Sequence, residues 1–454
     1  MAESIIILWI IYAASFRGGG LPMKTFHTAK EGALELDRSD PLAGYRSRFY
    51  LLPNKIYMDG NSLGLLSKDG EESLLKVLDQ WKRLGIDGWL DENNPWYYYG
   101  EKLGAMQASM VGAKEDEVIV TGSTTVNLHT LIGTFYQPEG NKTMILADEL
   151  NFPSDLYALE SQIRLKGLDP AENLLLVKSR DGRLIEEEDI ITAIEEKAGQ
   201  IALILLPSVY YRSGQLLDME TLTAKAHQNK IPIGFDCSHS IGAVPHEFDR
   251  WDVDFAFWCN YKHVNAGPGA TASLYVNKKH FGKTASLAGW WGYRKDKQFD
   301  MRLEFEQAPG AGGWQISSPQ ILSTAPLEGS LHIFSEAGIE KVREKSLKLT
   351  AYLMFLLEEE GLTRTPYNYS IGTPRDTKRR GGHVAVEHAG AASITRALKK
   401  RGIIPDFRSP NIIRLAPVAL YNNFLETWQV VKALKEIIDG GEHEQFENVR
   451  DTIA

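Results

Sequence analysis

Only two cysteines, Cys237 and Cys259, occur in the 454 residues of this chain. That excludes a disulfide scaffold and any four-cysteine zinc site, and it suits a reducing cytosol. Both lie in apolar, strand-like runs and read as buried thiols. A basic block is also missing. The net charge is −9 and the pI near 5.8, so a general nucleic-acid surface, which needs clustered Lys and Arg, is excluded. The early apolar run, residues 5–14, is half the ~20 residues a membrane-crossing helix needs. Its only charged neighbour upstream is Glu3, so the basic stretch of a secretion signal is absent. A soluble-looking sequence begins at Met23. Residues 1–22 are therefore read as an extension outside the fold, with a weak membrane anchor as the alternative. Internal repeats and low-complexity blocks are absent too, and a protein of this kind looks to small molecules or other proteins.

What is present is an ordinary globular composition, 43% hydrophobic and 24% charged. Short continuous apolar runs at 143–147 (TMILA), 173–177 (NLLLV), 201–206 (IALILL) and 231–236 (IPIGFD) end at polar residues or Pro. Strands buried on both faces of a parallel sheet read this way. A helix-compatible stretch at 218–230 links the last two as a βαβ unit. Further strands are expected at 117–120, 253–259 and 271–276. From about Ser323 the texture changes to a long amphipathic helical region, 324–360, and a loop rich in Pro, Arg and Gly, 365–382. A strand at 383–387, a helix at 391–401, a strand at 411–415 and a helix at 423–438 follow. The expected fold is α/β, with a large parallel-sheet domain over 23–323 and a small C-terminal α+β domain over 324–454.

In open α/β sheets the ligand lies beyond the carboxyl ends of the strands, and three such ends carry unusual polar residues. The first is TGSTTVN, 121–127, a loop expected to open a helix over 128–135. Small hydroxyl side chains and free N–H groups at a helix start make an anion seat, or else a plain helix cap. The second is Asp236, followed by His239. A carboxylate closing a buried strand needs a partner, such as a protonated ring nitrogen, or it caps the turn after it. The third is Lys262, where an apolar strand runs into Tyr-Lys. Poor solvation there would make its amine a usable imine former, although a lone lysine at a strand end is usually solvated. Anion loop, acid and lysine in this order match what pyridoxal phosphate (PLP) requires. Phe152, after another strand end, could cover the cofactor ring or simply pack in the core.

The chain from about His27 onward resembles kynureninase, a PLP-dependent hydrolase of the class V aminotransferase group with fold type I. The resemblance rests on MDGNSLG from Met58, TVNLH from Thr125, FPSD from Phe152 and GFDCSH from Gly234. WCNYK from Trp258, GWWG from Gly289 and IRLAPVALYN from Ile413 complete it. It implies Lys262 as the Schiff-base lysine, Asp236 as partner of the pyridine nitrogen and Phe152 stacked on the ring. Asp155 and His239 would line the pocket. Thr124, Thr125 and Tyr261 would hold the phosphate, with Tyr261 also a candidate donor to a developing oxyanion. Trp290 and Ser318 would come from a second subunit, implying a homodimer with shared active sites. Arg414 would clamp the substrate α-carboxylate, with Trp89, Asn61 and Ser317 also at the substrate. No metal is implied.

The implied activity is hydrolysis of L-kynurenine to anthranilate and L-alanine, in cytoplasmic tryptophan degradation and NAD biosynthesis by the kynurenine pathway. A class V aminotransferase or related PLP lyase is the alternative. A desulfurase needs a nucleophilic cysteine late in the chain, and none follows Cys259. Animal members carry Asn where Ser318 stands and His where Trp89 stands. Trp89 fits the bacterial pattern, which favours kynurenine, while Ser317 and Ser318 keep 3-hydroxykynurenine open as a substrate.

Overall fold

The computed structural model describes residues 26–91 and 93–450. The apolar run at 5–14, and with it the whole 1–22 extension, lies outside the described residues. The chain opens with α1 (Lys30–Arg38), β1 (Ile56–Tyr57), α2 (Lys68–Leu84) and α3 (Tyr99–Ala108). It then alternates β2 (Val118–Val120), α4 (Thr124–Phe135), β3 (Met144–Asp148), α5 (Pro153–Leu165), α6 (Pro170–Asn173) and β4 (Leu174–Val177). After α7 (Glu187–Lys197) come β5 (Ile201–Pro207), α8 (Met219–Gln228), β6 (Ile233–Asp236), β7 (Phe255–Trp258) and β8 (Ser273–Val276). These strands form one seven-stranded sheet in the order β2-β8-β7-β6-β5-β3-β4.

The four apolar runs are parallel to their neighbours, as their character predicts, but β4 closes the edge of the sheet and three of its four residues are only partly buried, because an edge strand is covered less than an inner one. β5 and β6 are buried at every position. Two pairings are antiparallel, β7 with β8 and β8 with β2. The physical reason lies in the β7–β8 connection, which contains no crossover helix to carry the chain back for a parallel return. Apolar clusters cover both faces of the sheet, one built around Leu146, Ile204 and Trp258, the other around Ile145, Leu203 and Phe257.

The long helical region predicted at 324–360 is two helices, α9 (Ile321–Ala337) and α10 (Ile339–Glu359). Gly338 separates them at φ +78°, a conformation that an L side chain rarely adopts, and its N–H closes the end of α9 on Phe334 O at 2.9 Å. Next come β9 (Ser370–Ile371), β10 (Val384–Glu387), α11 (Ala391–Lys400), β11 (Ile403–Ile404), β12 (Asp406–Arg408), β13 (Ile412–Leu415) and α12 (Phe424–Asp439). β12, β13, β10 and β9 make an antiparallel four-stranded sheet. Its core also takes in Phe26, Ala33 and Met58 from the start of the chain, whereas Leu327, Leu331 and Phe334 of α9 pack into the core of the large sheet. Asp37 of α1 accepts from the free N–H groups of Phe424 (2.7 Å) and Leu425 (3.1 Å), capping α12. β1 pairs in parallel with β11, so the first strand is closed by a segment far downstream. Among the described residues, no helix is long and apolar enough to cross a membrane.

Candidate active site

The carboxyl edge of the large sheet gathers the residues singled out above. β2 ends at Val120, and α4 begins at Thr124 with Ser123 as its N-cap; the Ser123 side chain makes no capping bond. The first N–H groups of α4 are thus left for an external acceptor. Thr125 Oγ1 lies 3.1 Å from Ser154 Oγ at the start of α5, so two helix starts meet at this point. Asn127 fixes the loop by donating to Thr121 O at 2.9 Å. The adjoining cleft, about 320 Å³, is lined by Thr121, Ser123, Asn127 and Ser317.

Phe152, the N-cap of α5, presents a ring that is 43% exposed and meets Tyr211 edge-on at 5.3 Å. An open aromatic face at a strand end is free to take a planar ligand. Below it two buried carboxylates adjoin, Asp155 and Asp236. Asp236 Oδ1 accepts from Ser238 N at 2.9 Å, while Asp155 Oδ2 is buried without a partner. Burial first, and the Asp236 charge second, push the Asp155 carboxyl well above the ordinary carboxylate range, although Lys262 pulls the other way. Such a pair calls for a further proton or cation between its members.

Lys262 follows β7 and is half-buried. Its Nζ lies 2.9 Å from His239 Nε2 and 5.9 Å from the centre of the Tyr261 ring. His239 is buried, and burial followed by the Lys262 charge drives its pKa well below the ordinary value. The ring is therefore neutral, and Nε2 accepts from the lysine. The adjacent Cys259 and its own burial push the Tyr261 phenol upward, so at neutral pH that hydroxyl keeps its proton.

Arg414, in β13, reaches this site from the small sheet. It is 1% exposed, and Asp406, its cross-strand neighbour, binds it through Nε and Nη2. Nη1 donates to Tyr211 O at 2.8 Å and Nη2 to Ser62 Oγ at 2.9 Å. Asp59 is held up at about 6 by burial and by Asp406, partly offset by Arg414. Asn61, one residue before Ser62, is fully buried, and both its amide atoms lack a partner. Unmade bonds of this kind mark a place where a ligand completes the hydrogen bonding.

Lys262, Tyr261, Asp236, Asp155, His239 and Arg414 thus belong to one buried polar cluster, with Thr124, Thr125 and Phe152 at the same sheet edge. Trp89, Trp290 and Ser318 come together elsewhere, in an aromatic cleft of about 900 Å³ that Tyr97, Trp291 and Phe299 also line. Trp89 meets Trp291 at 5.3 Å and Trp96 at 5.9 Å, while Trp290 meets Phe299 at 5.8 Å. Ile86, Leu90 and Phe299, which line this cleft, are strongly exposed, and so are Met301 and Leu303 just beyond Phe299 in the chain, Leu303 at 98%. Sequence reasoning missed Asp406, Asp59, Ser62 and Tyr211, which hold Arg414 or lie beside it. An Asp eight positions before Arg414, with Pro410 marking a turn between them, was a usable signal for the first.

Comparison with known proteins places the chain as a whole. The family model described as the kynureninase C-terminal domain matches residues 342–434. The chain is 57% identical over 424 residues to a kynureninase of Geobacillus thermodenitrificans, covering 93% of this chain and 98% of that one. It is 58% identical over 425 residues to a kynureninase of Shouchella clausii, covering 94% and 98%. Among solved structures, a cysteine desulfurase of Thermococcus onnurineus superposes with a TM-score of 0.71 at 17% identity, over 90% of this chain and 98% of that one. A C-DES variant with glycine covalently linked to its PLP cofactor superposes at 0.72 and 16% identity, over 86% and 98%. At such identity the two structures speak for the fold alone. The full-length sequence matches say more, and the chain belongs to the kynureninase family.

Proposed function

We propose that this chain hydrolyses L-kynurenine to anthranilate and L-alanine with PLP as its cofactor. The observation that carries the reading is the buried array of Asp155, Asp236, His239, Lys262 and Arg414 beside the uncapped start of α4, in a chain of the kynureninase family. The residues fit the cofactor. The α4 start with Thr124, Thr125 and Tyr261 would hold its phosphate, Phe152 would cover its ring, and Asp236 would meet its ring nitrogen. Asp155, buried beside Asp236 with Oδ2 unpartnered, would line the same pocket. When bound, PLP supplies an electron sink for the substrate carbon skeleton.

The chain's own groups do the rest. Arg414 and Asn61 hold the substrate α-carboxylate, the arginine through a planar two-point match. Of its five N–H groups, two go to Asp406, one to Tyr211 O and one to Ser62, so a carboxylate needs only the Ser62 hydroxyl to give way. Lys262 Nζ, steered by His239, takes and returns the proton at the substrate α-carbon. Tyr261, still protonated, turns its single O–H from the phosphate to the oxyanion that develops when water adds to the γ-carbonyl. One water is consumed: its hydroxyl ends on the anthranilate carboxyl and its proton on the alanine methyl.

The reading extends to a homodimer. Trp89, Trp290, Ser317 and Ser318 would meet the cofactor phosphate and the aromatic end of the substrate, with Trp290 and Ser318 supplied by the second subunit. The exposed apolar rim around Leu303 supports this, since patches of that kind mark interaction surfaces. Two buried, unbridged thiols, Cys237 and Cys259, support a place in the cytoplasm. The test is an absorbance spectrum of purified protein with PLP, before and after L-kynurenine, with anthranilate fluorescence followed in the same cuvette. Anthranilate release together with a Lys262-dependent visible band is expected. The band with 2-oxoglutarate-dependent amino transfer and no anthranilate would hand the function to an aminotransferase.

A further inference from the structure

Behind Lys262 stand two buried imidazoles that the scheme above does not use, His263 and His383. His383 comes from the loop before β10 of the small sheet, and its ring centre lies 6.0 Å from that of His239, inclined at 59°. Both ring nitrogens of His383 lack a hydrogen bond of good geometry among the described residues, with only the Arg212 backbone facing the ring, and His239 Nδ1 has no partner. The place is reserved for this ring. Gly214 lies against it at φ +72°, where a Cβ would come within 2.7 Å of His383 O and 3.3 Å of its Nε2.

The hydrogen bonding sets the tautomer. His239 Nε2 accepts from Lys262, so in the neutral ring the proton sits on Nδ1. That N–H is buried and unmatched, and an unmatched buried donor is costly. The two rings make no direct hydrogen bond, and with their centres 6.0 Å apart a single water is what could link them. We propose that His383 is a positioning residue: through a bridging water it accepts the Nδ1–H of His239, fixing the tautomer and ring orientation by which His239 steers Lys262. The other His383 nitrogen then turns to the Arg212 backbone, which faces the ring. Burial and the Lys262 and Arg414 charges keep both rings neutral, so the chain of donors runs one way. His263 is also buried with Nε2 unpartnered, but no ring contact joins it to His239.

The inference rests on the hydrolytic reading and is tested on the holoenzyme with His383→Leu and His383→Gln. Leucine fills the space without an acceptor, and the glutamine amide restores one. His383→Leu should lower kcat about tenfold or more, with KM within about twofold of wild type, and His383→Gln should recover most of the loss. Independently of turnover, cofactor-free protein carrying 15N-histidine, in which Lys262 is a free amine, should show His239 as the Nδ1–H tautomer in wild type and as a mixture in His383→Leu. Folded His383→Leu with unchanged kcat, or with wild-type tautomer signals, overturns the proposal, as does equal loss in both variants. If wild type itself releases no anthranilate, the hydrolytic reading fails, and the tautomer signals still decide the role of His383.

Discussion

Replacing Arg414 with lysine keeps a positive charge in the small-sheet wall and removes the planar fork. In the folded protein the guanidinium spends two N–H groups on Asp406 and one each on Tyr211 O and Ser62, leaving one free for a ligand and a second that Ser62 can release. A lysine ammonium has three donors on a single nitrogen. Pairing with Asp406 and reaching a substrate carboxylate costs it the second of the two parallel contacts. A hydrogen bond to a charged group is worth about 1.5–3 kcal/mol, which converts to about a 10- to 150-fold loss in kcat/KM. The loss should fall mostly on KM, since the α-carboxylate is not where bonds change. The charge remains, so Asp406 and Asp59 are not left as unpaired buried acids and the fold should survive, as circular dichroism would verify. Steady-state anthranilate release over a range of L-kynurenine concentrations measures the effect. A folded Arg414→Lys enzyme with kcat/KM within about twofold of wild type would refute the assignment of Arg414 to the carboxylate.

Stability should fall as the solution is acidified, in part through His246. This ring is fully buried against Ser240 Oγ at 2.8 Å, and burial lowers its pKa from 6.5 to about 4. Between those values the unfolded chain binds the proton and the folded one does not, so stability is present above pH 6.5 and is lost as pH falls toward about 4. The linkage amounts to roughly 3 kcal/mol at 1.36 kcal/mol per unit. Urea unfolding of His246→Asn should have a flatter acid limb than wild type, and parallel limbs would exclude the residue. At the apolar rim, Leu303→Asp should turn a dimer into a monomer in sedimentation experiments and abolish turnover together with it. A dimer of unchanged stability would move the interface elsewhere.

The parts of this molecule that were legible in the sequence are those decided locally. β5 could be read from IALILL because a strand buried on both faces leaves an unbroken apolar run, and the start of α4 from a cluster of small hydroxyl residues after a strand. Lys262 and Asp236 stood out because polar groups at the ends of such strands need a reason to be there. What stayed hidden depends on contacts between distant segments. Nothing in the α1 pattern says that it packs beside α12, and no spacing rule brings His383 to His239. The antiparallel course of β8 follows from a missing crossover helix rather than from its own residues. Arg414 shows how the two kinds of information join. Its identity was legible, but its position depends on the β12–β13 register, which sets Asp406 opposite it, and on Tyr211, whose carbonyl belongs to a loop of the large sheet. The guanidinium therefore binds both sheets at once. A buried ion pair is a weak source of stability, because desolvation consumes most of the Coulomb gain. Keeping one at this seam makes physical sense if its product is geometry: the carboxylate seat proposed for Arg414 would exist only when the small sheet is docked against the strand ends that carry Lys262.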